Sequence, residues 1–300
     1  MLSLTILGSN SAIPAHGRNP TSQVLQTQDE CYLIDCGEGT QLQLARFKIK
    51  RSKINHIFIS HLHGDHYFGL IGLLTSMGLM GRTTELHLYA PSLLENIIDL
   101  QLKAANTILP YKINFYPLGE EGNITSSKKI TIESFKVNHR IDCWGFIFRE
   151  KKNPRSIDPA RVKSYEIPAS YYEALQKGAD YTNKKGTIIP NSEVTKASSP
   201  AKSYAYCADT IFNELIADKV RGVDLLYHET TYLKDLEQRA AERYHSTTHQ
   251  AATIALKAGA KKLIIGHFSS KYDDLDCFLT EALEIFDNCE LALEGICFKI

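Results

Sequence analysis

From residue 57 the chain reads Ile57-Phe58-Ile59-Ser60-His61-Leu62-His63-Gly64-Asp65-His66. An apolar strand ends there, and the next few positions present three histidines and an aspartate. Alternate side chains of an extended segment leave the same face, so His61 and His63 can reach one cation. Asp65 and His66 follow at the turn and can face a second. Imidazole and carboxylate donors suit zinc. Such a turn works only if the fold brings further donors to the same edge.

The sequence supplies them. His139 follows Ile130–Val137, and Asp209 follows Tyr204-Ala205-Tyr206-Cys207. His228-Glu229 ends the run from Val223, and His267 ends Leu263-Ile264-Ile265-Gly266. In open α/β sheets, ligands collect at the carboxyl ends of strands. Counting ligands gives one zinc on His61, His63 and His139. A second falls on Asp65, His66 and His267, with Asp209 bridging the pair. Two Zn2+ per subunit with open positions suit phosphoester hydrolysis, and Mn2+ is a possible substitute on the same donors. His245, oriented by Glu229, is a candidate acid for a departing alkoxide. Ser246 or Thr247 is expected to cap the helix that starts near His249.

Composition narrows the rest. Lys and Arg number 34, as do Asp and Glu, so a uniformly basic nucleic-acid binder is excluded and any polyanion must meet a local patch. The 7 cysteines include no C-x-x-C pair and read as reduced, mostly small core residues, which points to the cytoplasm. No signal peptide or membrane span is expected. Strands are predicted over 2–8, 21–27, 31–35, 54–60, 85–90, 112–117, 130–138, 144–149, 203–208, 222–228, 262–266 and 290–299, the last broken at Gly295. Helices are predicted over 38–47, 67–80, 92–105, 233–243, 248–258 and 275–287. Tyr67 and Phe68, which begin the helix after the metal loop, are assigned to core packing, with approach to a base as the alternative, and His56 and His87 to hydrogen-bonded core or edge positions. The alternation implies layered α/β packing in a single 1–300 domain. Only 149–202 breaks the rhythm. It has five prolines and eleven Lys or Arg against six Asp or Glu, and reads as an inserted basic arm projecting from the core.

With these residues assembled, the chain resembles the metallo-β-lactamase superfamily. Within it the chain is similar to the short-form ribonuclease Z family of tRNA 3′-processing endonucleases. The resemblance rests on Asp35-Cys36-Gly37-Glu38-Gly39-Thr40-Gln41, the Gly64–Leu70 continuation of the histidine motif, His228-Glu229-Thr230-Thr231, His245-Ser246-Thr247 and His267-Phe268-Ser269-Ser270-Lys271-Tyr272. It implies a four-layer αβ/βα sandwich and the same metal ligands. It also implies Asp65 as proton acceptor, Glu229 with His245 as the leaving-group relay, and precursor tRNA as substrate. It implies a homodimer in which one subunit's arm grips the tRNA cut by the other. Candidate substrate contacts are Arg18, Asn19, Lys151, Lys152, Arg155, Lys184 and Lys185. The family loop P-x-K-x-R-N here has His16 in the lysine position, and its H-E-A-T loop has Thr230 for alanine. The arm lacks the family's Gly-Pro pair. A different hydrolase on the same scaffold, acting on small phosphodiesters, arylsulfates or thioesters, is the alternative.

Overall fold

The computed structural model describes residues 2–300. Contacts divide it into two compact units, residues 2–126 with Thr131–Phe148 and Lys202–Ile300, and Ser127–Ile130 with Arg149–Ala201. The larger unit holds two seven-stranded sheets. The first runs, edge to edge, Cys297–Lys299, Ser3–Gly8, Ser22–Gln26, Cys31–Cys36, Ile54–Phe58, Leu86–Ala90 and Ile113–Pro117. The second runs Cys289–Leu291, Leu263–Gly266, Leu225–Glu229, Ser203–Cys207, Cys143–Glu150, Ile130–Val137 and Gly122–Ser126.

Period-2 alternation sorts the strand residues between two layers. Leu33, Ile57 and Leu88 join the core beneath the helices Thr40–Arg46, Leu70–Leu79 and Leu93–Ala104. Their neighbours Tyr32 and Phe58 turn the other way and meet Phe146 and Phe148 of the second sheet, with ring centroids 5.4 to 5.7 Å apart. The helix Thr248–Ala258 covers the second sheet with Ala251, Ile254 and Ala255 fully buried. The order helix, sheet, sheet, helix is the predicted sandwich. Each such Leu, Ile or Phe contributes about 1.5–3 kcal/mol by leaving water.

The parallel strands place the chemistry. Cys31–Cys36 runs parallel to Ile54–Phe58, and Ser203–Cys207, Leu225–Glu229 and Leu263–Gly266 are parallel neighbours. Their carboxyl ends carry Asp35, the turn at His61, Asp209, Glu229 and His267.

Several boundaries differ from expectation. The helix predicted over 67–80 is two, Gly64–Tyr67 and Leu70–Leu79. The ladder is interrupted where the Gly69 amide donates to the Cys36 carbonyl at 2.9 Å, an approach that only glycine allows, since a Cβ at 69 would lie 2.2 Å from the Gly37 carbonyl oxygen. The 233–243 helix begins as a 3₁₀ turn and is α-helical only over Glu237–Glu242. The strand Gly122–Ser126 and the helix Leu215–Lys219 were not anticipated; the first is a half-exposed edge with weak strand formers. The final stretch breaks near Gly295, and its halves join different sheets.

The smaller unit contains helices Pro159–Ser164, Tyr172–Gln176 and Asn191–Val194 and two short ladders, Ser156–Ile157 with Thr195–Lys196 and Tyr181–Thr182 with Ile188–Ile189. Its core is Val162, Ile167, Leu175, Ile189 and Val194. Asp158 caps the first helix, accepting from the Ala160 and Arg161 amides at 3.0 and 3.1 Å, with Pro159 at the start.

Candidate metal centre and acid relay

His61, His63, His139 and Asp209 converge within 4.8 Å of one another, as do Asp65, His66 and His267. His61 Nε2 and His139 Nε2 each lie 3.1 Å from His63 Nδ1. His66 Nε2 lies 3.3 Å from His267 Nε2. Asp209 stands between the two groups, Oδ2 3.6 Å from His61 Nε2 and Oδ1 3.3 Å from His267 Nε2.

The far ring nitrogens fix which nitrogen faces inward. His66 Nδ1 donates to Asp35 Oδ2 at 2.8 Å, and His139 Nδ1 to the Tyr244 carbonyl at 2.8 Å. Ser60 Oγ donates to Asp35 Oδ2 at 2.8 Å and so accepts from His61 Nδ1 at 3.0 Å. His267 Nδ1 meets Thr231 Oγ1 at 2.9 Å. These protons leave four Nε2 lone pairs aimed at one space. Asp209 Oδ1 is buried yet has no hydrogen-bond partner. Crowded lone pairs and an orphaned buried carboxylate oxygen fit a divalent cation, which supplies the missing charge.

The electrostatics follow from burial and crowding. Burial and then His66 depress the His61 imidazole far below its ordinary value; burial and then His139 lower His63 to about 4. Burial opposes ionisation of Asp65 and Asp209, but His66 and His267 hold both carboxyls well below the usual range. Asp65 Oδ2 also accepts the Ala12 amide at 2.7 Å, which fixes the carboxylate's direction.

A second network adjoins the first. Glu229, fully buried, accepts from the Ser246 amide at 2.8 Å and from the Thr231 hydroxyl at 2.8 Å. Its Oε1 lies 3.1 Å from His245 Nδ1. Burial works against a proton on His245, yet Glu229, with Asp209 and Asp65 behind it, raises that imidazole's pKa above its ordinary value. Thr247, not Ser246, caps the following helix: its Oγ1 accepts the Gln250 amide at 3.4 Å, and Gln250 Oε1 accepts the Thr247 amide at 3.0 Å. Ser246 Oγ instead donates to the Thr210 carbonyl at 2.7 Å.

The remaining candidates are distributed differently. Arg18 donates to Asn10 Oδ1 and the Asp273 carbonyl at 3.0 Å each and to the Tyr272 carbonyl. Asn19 bonds Glu294, and His16 Nε2 lies 2.9 Å from the Ser270 carbonyl oxygen. The Arg18 and His16 bonds brace the segment that follows His267. Lys151, Lys152, Arg155, Lys184 and Lys185 belong to the smaller unit. Lys152, Lys184 and Lys185 are exposed. Lys151 Nζ donates to the Ser127 carbonyl at 2.6 Å, and Arg155 Nε to Thr195 Oγ1 at 2.7 Å.

Sequence reasoning gave Asp35, Ser60 and Thr231 no role. Asp35 is fully buried and also accepts from the Ser60 amide at 2.7 Å and the Tyr206 hydroxyl at 2.6 Å. The available signal was its place at the end of an apolar strand, on the edge where the histidines gather. Phe68, assigned to the core, is 63% exposed, its ring lying over Gly64 rather than against the apolar layer.

Known proteins are similar to this chain along almost its whole length. Ribonuclease Z of Bacteroides fragilis (strain YCH46) is 43% identical over 299 residues, 99% of this chain and 98% of that protein. The chain belongs to the ribonuclease Z family. Ribonuclease Z of Porphyromonas gingivalis (strain W83) is 41% identical over 286 residues, covering 95% and 94% of the two chains. The crystal structure of human tRNase Z, short form, superposes with a TM-score of 0.74 at 25% identity over 99% of both chains. The metallo-β-lactamase fold protein YhfI from Bacillus subtilis gives 0.71 at 18% identity over 100% of both, which shows the shared fold. Over residues 2–165 the chain also belongs to the family described as anti-Pycsar protein Apyc1. That match ends before Asp209, Glu229, His245 and His267. Among the described residues no helix is long and apolar enough to cross a membrane.

Proposed function

We propose that the chain is a zinc-dependent endoribonuclease that removes 3′ trailers from precursor tRNA. The observation that carries this reading is the joining of the convergent His and Asp donors to a His245–Glu229 relay, in a chain 43% identical to a ribonuclease Z along almost its whole length. His61, His63 and His139 would hold one Zn2+ and Asp65, His66 and His267 the other, with Asp209 shared; Mn2+ fits the same donors. Bound there, the ions would neutralise charge on the scissile phosphate and favour ionisation of a water.

The protein's own groups do the rest. Asp65 accepts a proton from the attacking water, its Oδ2 held by the Ala12 amide. The water oxygen bonds to phosphorus as the bond from phosphorus to the 3′-oxygen of the tRNA breaks. His245 donates its proton to that oxygen, and Glu229 stabilises the imidazolium until the transfer. The products are a tRNA with a 3′-hydroxyl and a trailer with a 5′-phosphate.

The basic unit at 149–201 would bind the tRNA through Lys151, Lys152, Arg155, Lys184 and Lys185. A homodimer is part of the proposal. Leu42, Leu79, Leu93 and Leu100, on three neighbouring helices or their ends, are 65% to 90% exposed, and apolar exposure of this kind favours association. The cytoplasm, where tRNA is made and thiols stay reduced, is the proposed location. Incubation with a 3′-extended tRNA transcript, with and without chelator, tests the reading. A single metal-dependent cut after the discriminator nucleotide is expected. Equal turnover of a small diester with no preference for tRNA would favour the alternative hydrolase.

A further inference from the structure

The cavity over the metal donors has one wall that the reaction leaves unassigned. It encloses about 310 Å3, with His63, Asp65, Asp209 and His245 on one side and Phe68 and Arg140 among its other lining residues. That volume is at the small end for ligand sites and suits a single nucleotide unit, not a folded tRNA.

Phe68 is anomalous for a core residue. The residue is 63% exposed, although its main chain is pinned. The Phe68 amide donates to the Gly64 carbonyl and the Gly69 amide to the Cys36 carbonyl, both at 2.9 Å. The ring lies over Gly64, where a Cβ would come within 2.2 Å of it, and it meets Tyr67 edge-on at 5.0 Å. A rigid backbone thus presents an aromatic face to the cavity. Arg140 directly follows His139 and is exposed. No hydrogen bond or ion pair holds its guanidinium among the described residues. Its charge reaches His63, whose protonation it disfavours.

We propose that Phe68 and Arg140 form a nucleotide clamp at the mouth of the site. Phe68 stacks on the base of a nucleotide flanking the cut, and Arg140 pairs with a neighbouring backbone phosphate. Single-stranded RNA is recognised in this way, with unstacked bases on aromatic faces and guanidinium groups on phosphate oxygens. The clamp rests on the tRNA-processing reading and adds which side chains order the strand at the scissile bond.

Single-turnover cleavage by wild type, Phe68→Ala, Phe68→Trp and Arg140→Gln tests it. Three 3′-extended tRNAs serve as substrates: natural, abasic at the last tRNA nucleotide, and abasic at the first trailer nucleotide. On the natural substrate Phe68→Ala should lose about ten-fold in kcat/KM, and Phe68→Trp should recover it. The Phe68→Ala loss should vanish on one abasic substrate, which names the stacked base. Arg140→Gln should lose about ten-fold and make the logarithmic salt dependence shallower by about one unit, whereas Phe68→Ala should leave that slope alone. Equal Phe68→Ala losses on all three substrates, or an unchanged slope for Arg140→Gln, would overturn the clamp. A wild-type enzyme that leaves the natural substrate uncut would instead overturn the tRNA reading itself, and the clamp with it.

Discussion

The two compact units spend burial on different things. In the larger one Asp35, His61, His66, Asp209, Glu229 and His267 are all but inaccessible, and the apolar layers around them do not share their polarity. Isolated buried charges cost several kcal/mol each, so these persist through their mutual contacts, and among them only Asp209 has an oxygen, Oδ1, without a hydrogen-bond partner. The core of the smaller unit is five apolar side chains with one polar node beside them. In that node Asn191 Nδ2 donates to the Leu175 and Ala179 carbonyls at 2.8 Å each. Its surface carries the basic excess. One unit is thus a rigid polar site inside a large core, and the other is a charged surface on the smallest core that holds a shape.

The largest expected effect breaks the polar site alone. Asp65→Ala should lower the single-turnover rate by about 10²–10⁴-fold, the usual worth of a positioned proton acceptor. Affinity for 3′-extended tRNA, read by filter binding in the presence of metal, should stay within a few-fold, because the basic unit is untouched. Near-normal cleavage by the variant would remove Asp65 from the mechanism.

A smaller effect separates the units in the other direction. Leu175 is fully buried in the five-residue core. Leu175→Ala should cost about 2–5 kcal/mol locally, more than so small a core can absorb. Amide exchange should accelerate across 159–194 while the strands of the larger unit keep their protection. Affinity for tRNA should fall and its salt dependence should flatten, with hydrolysis of a small diester retained. Loss of both activities together would show that the smaller unit is needed to hold the site.

Much of this was legible in the sequence because strand ends obey simple rules. His61, His63, His66, His139, Asp209 and His267 each close or follow an apolar run, and parallel strands bring such ends together. Asp35 escaped because nothing in its local pattern separates an orienting carboxylate from a turn residue. Its role appears only when His66, Ser60 and Tyr206 converge on it from three other segments. Thr231 escaped for the same reason, since its hydroxyl links Glu229 to His267 across separate strands. The folding of 149–201 was hidden by its spacing. Val162, Ile167, Leu175, Ile189 and Val194 are too scattered to show either a helical or a strand period, and only tertiary contact makes them a core.

The finest distinction lies between polar groups that the larger unit satisfies and one of those that it does not. His56 sits on the strand Ile54–Phe58 with its ring stacked on His87, centroids 4.8 Å apart and planes within 15°. Its Nδ1 is buried and has no hydrogen-bond partner, contrary to the expectation of a bonded core histidine. Burial, and then the neighbouring His87, lower its pKa from 6.5 to about 4. Between those values the unfolded chain binds a proton at His56 that the folded chain refuses. Stability therefore rises with pH across that window and is lost as acid is added. His56→Gln removes the titration, so the fall in Tm between pH 7 and pH 5 should shrink by about a few degrees relative to wild type. An unchanged pH dependence would mean that the imidazole finds a partner on protonation, and that this position is as well satisfied as the histidines of the metal centre.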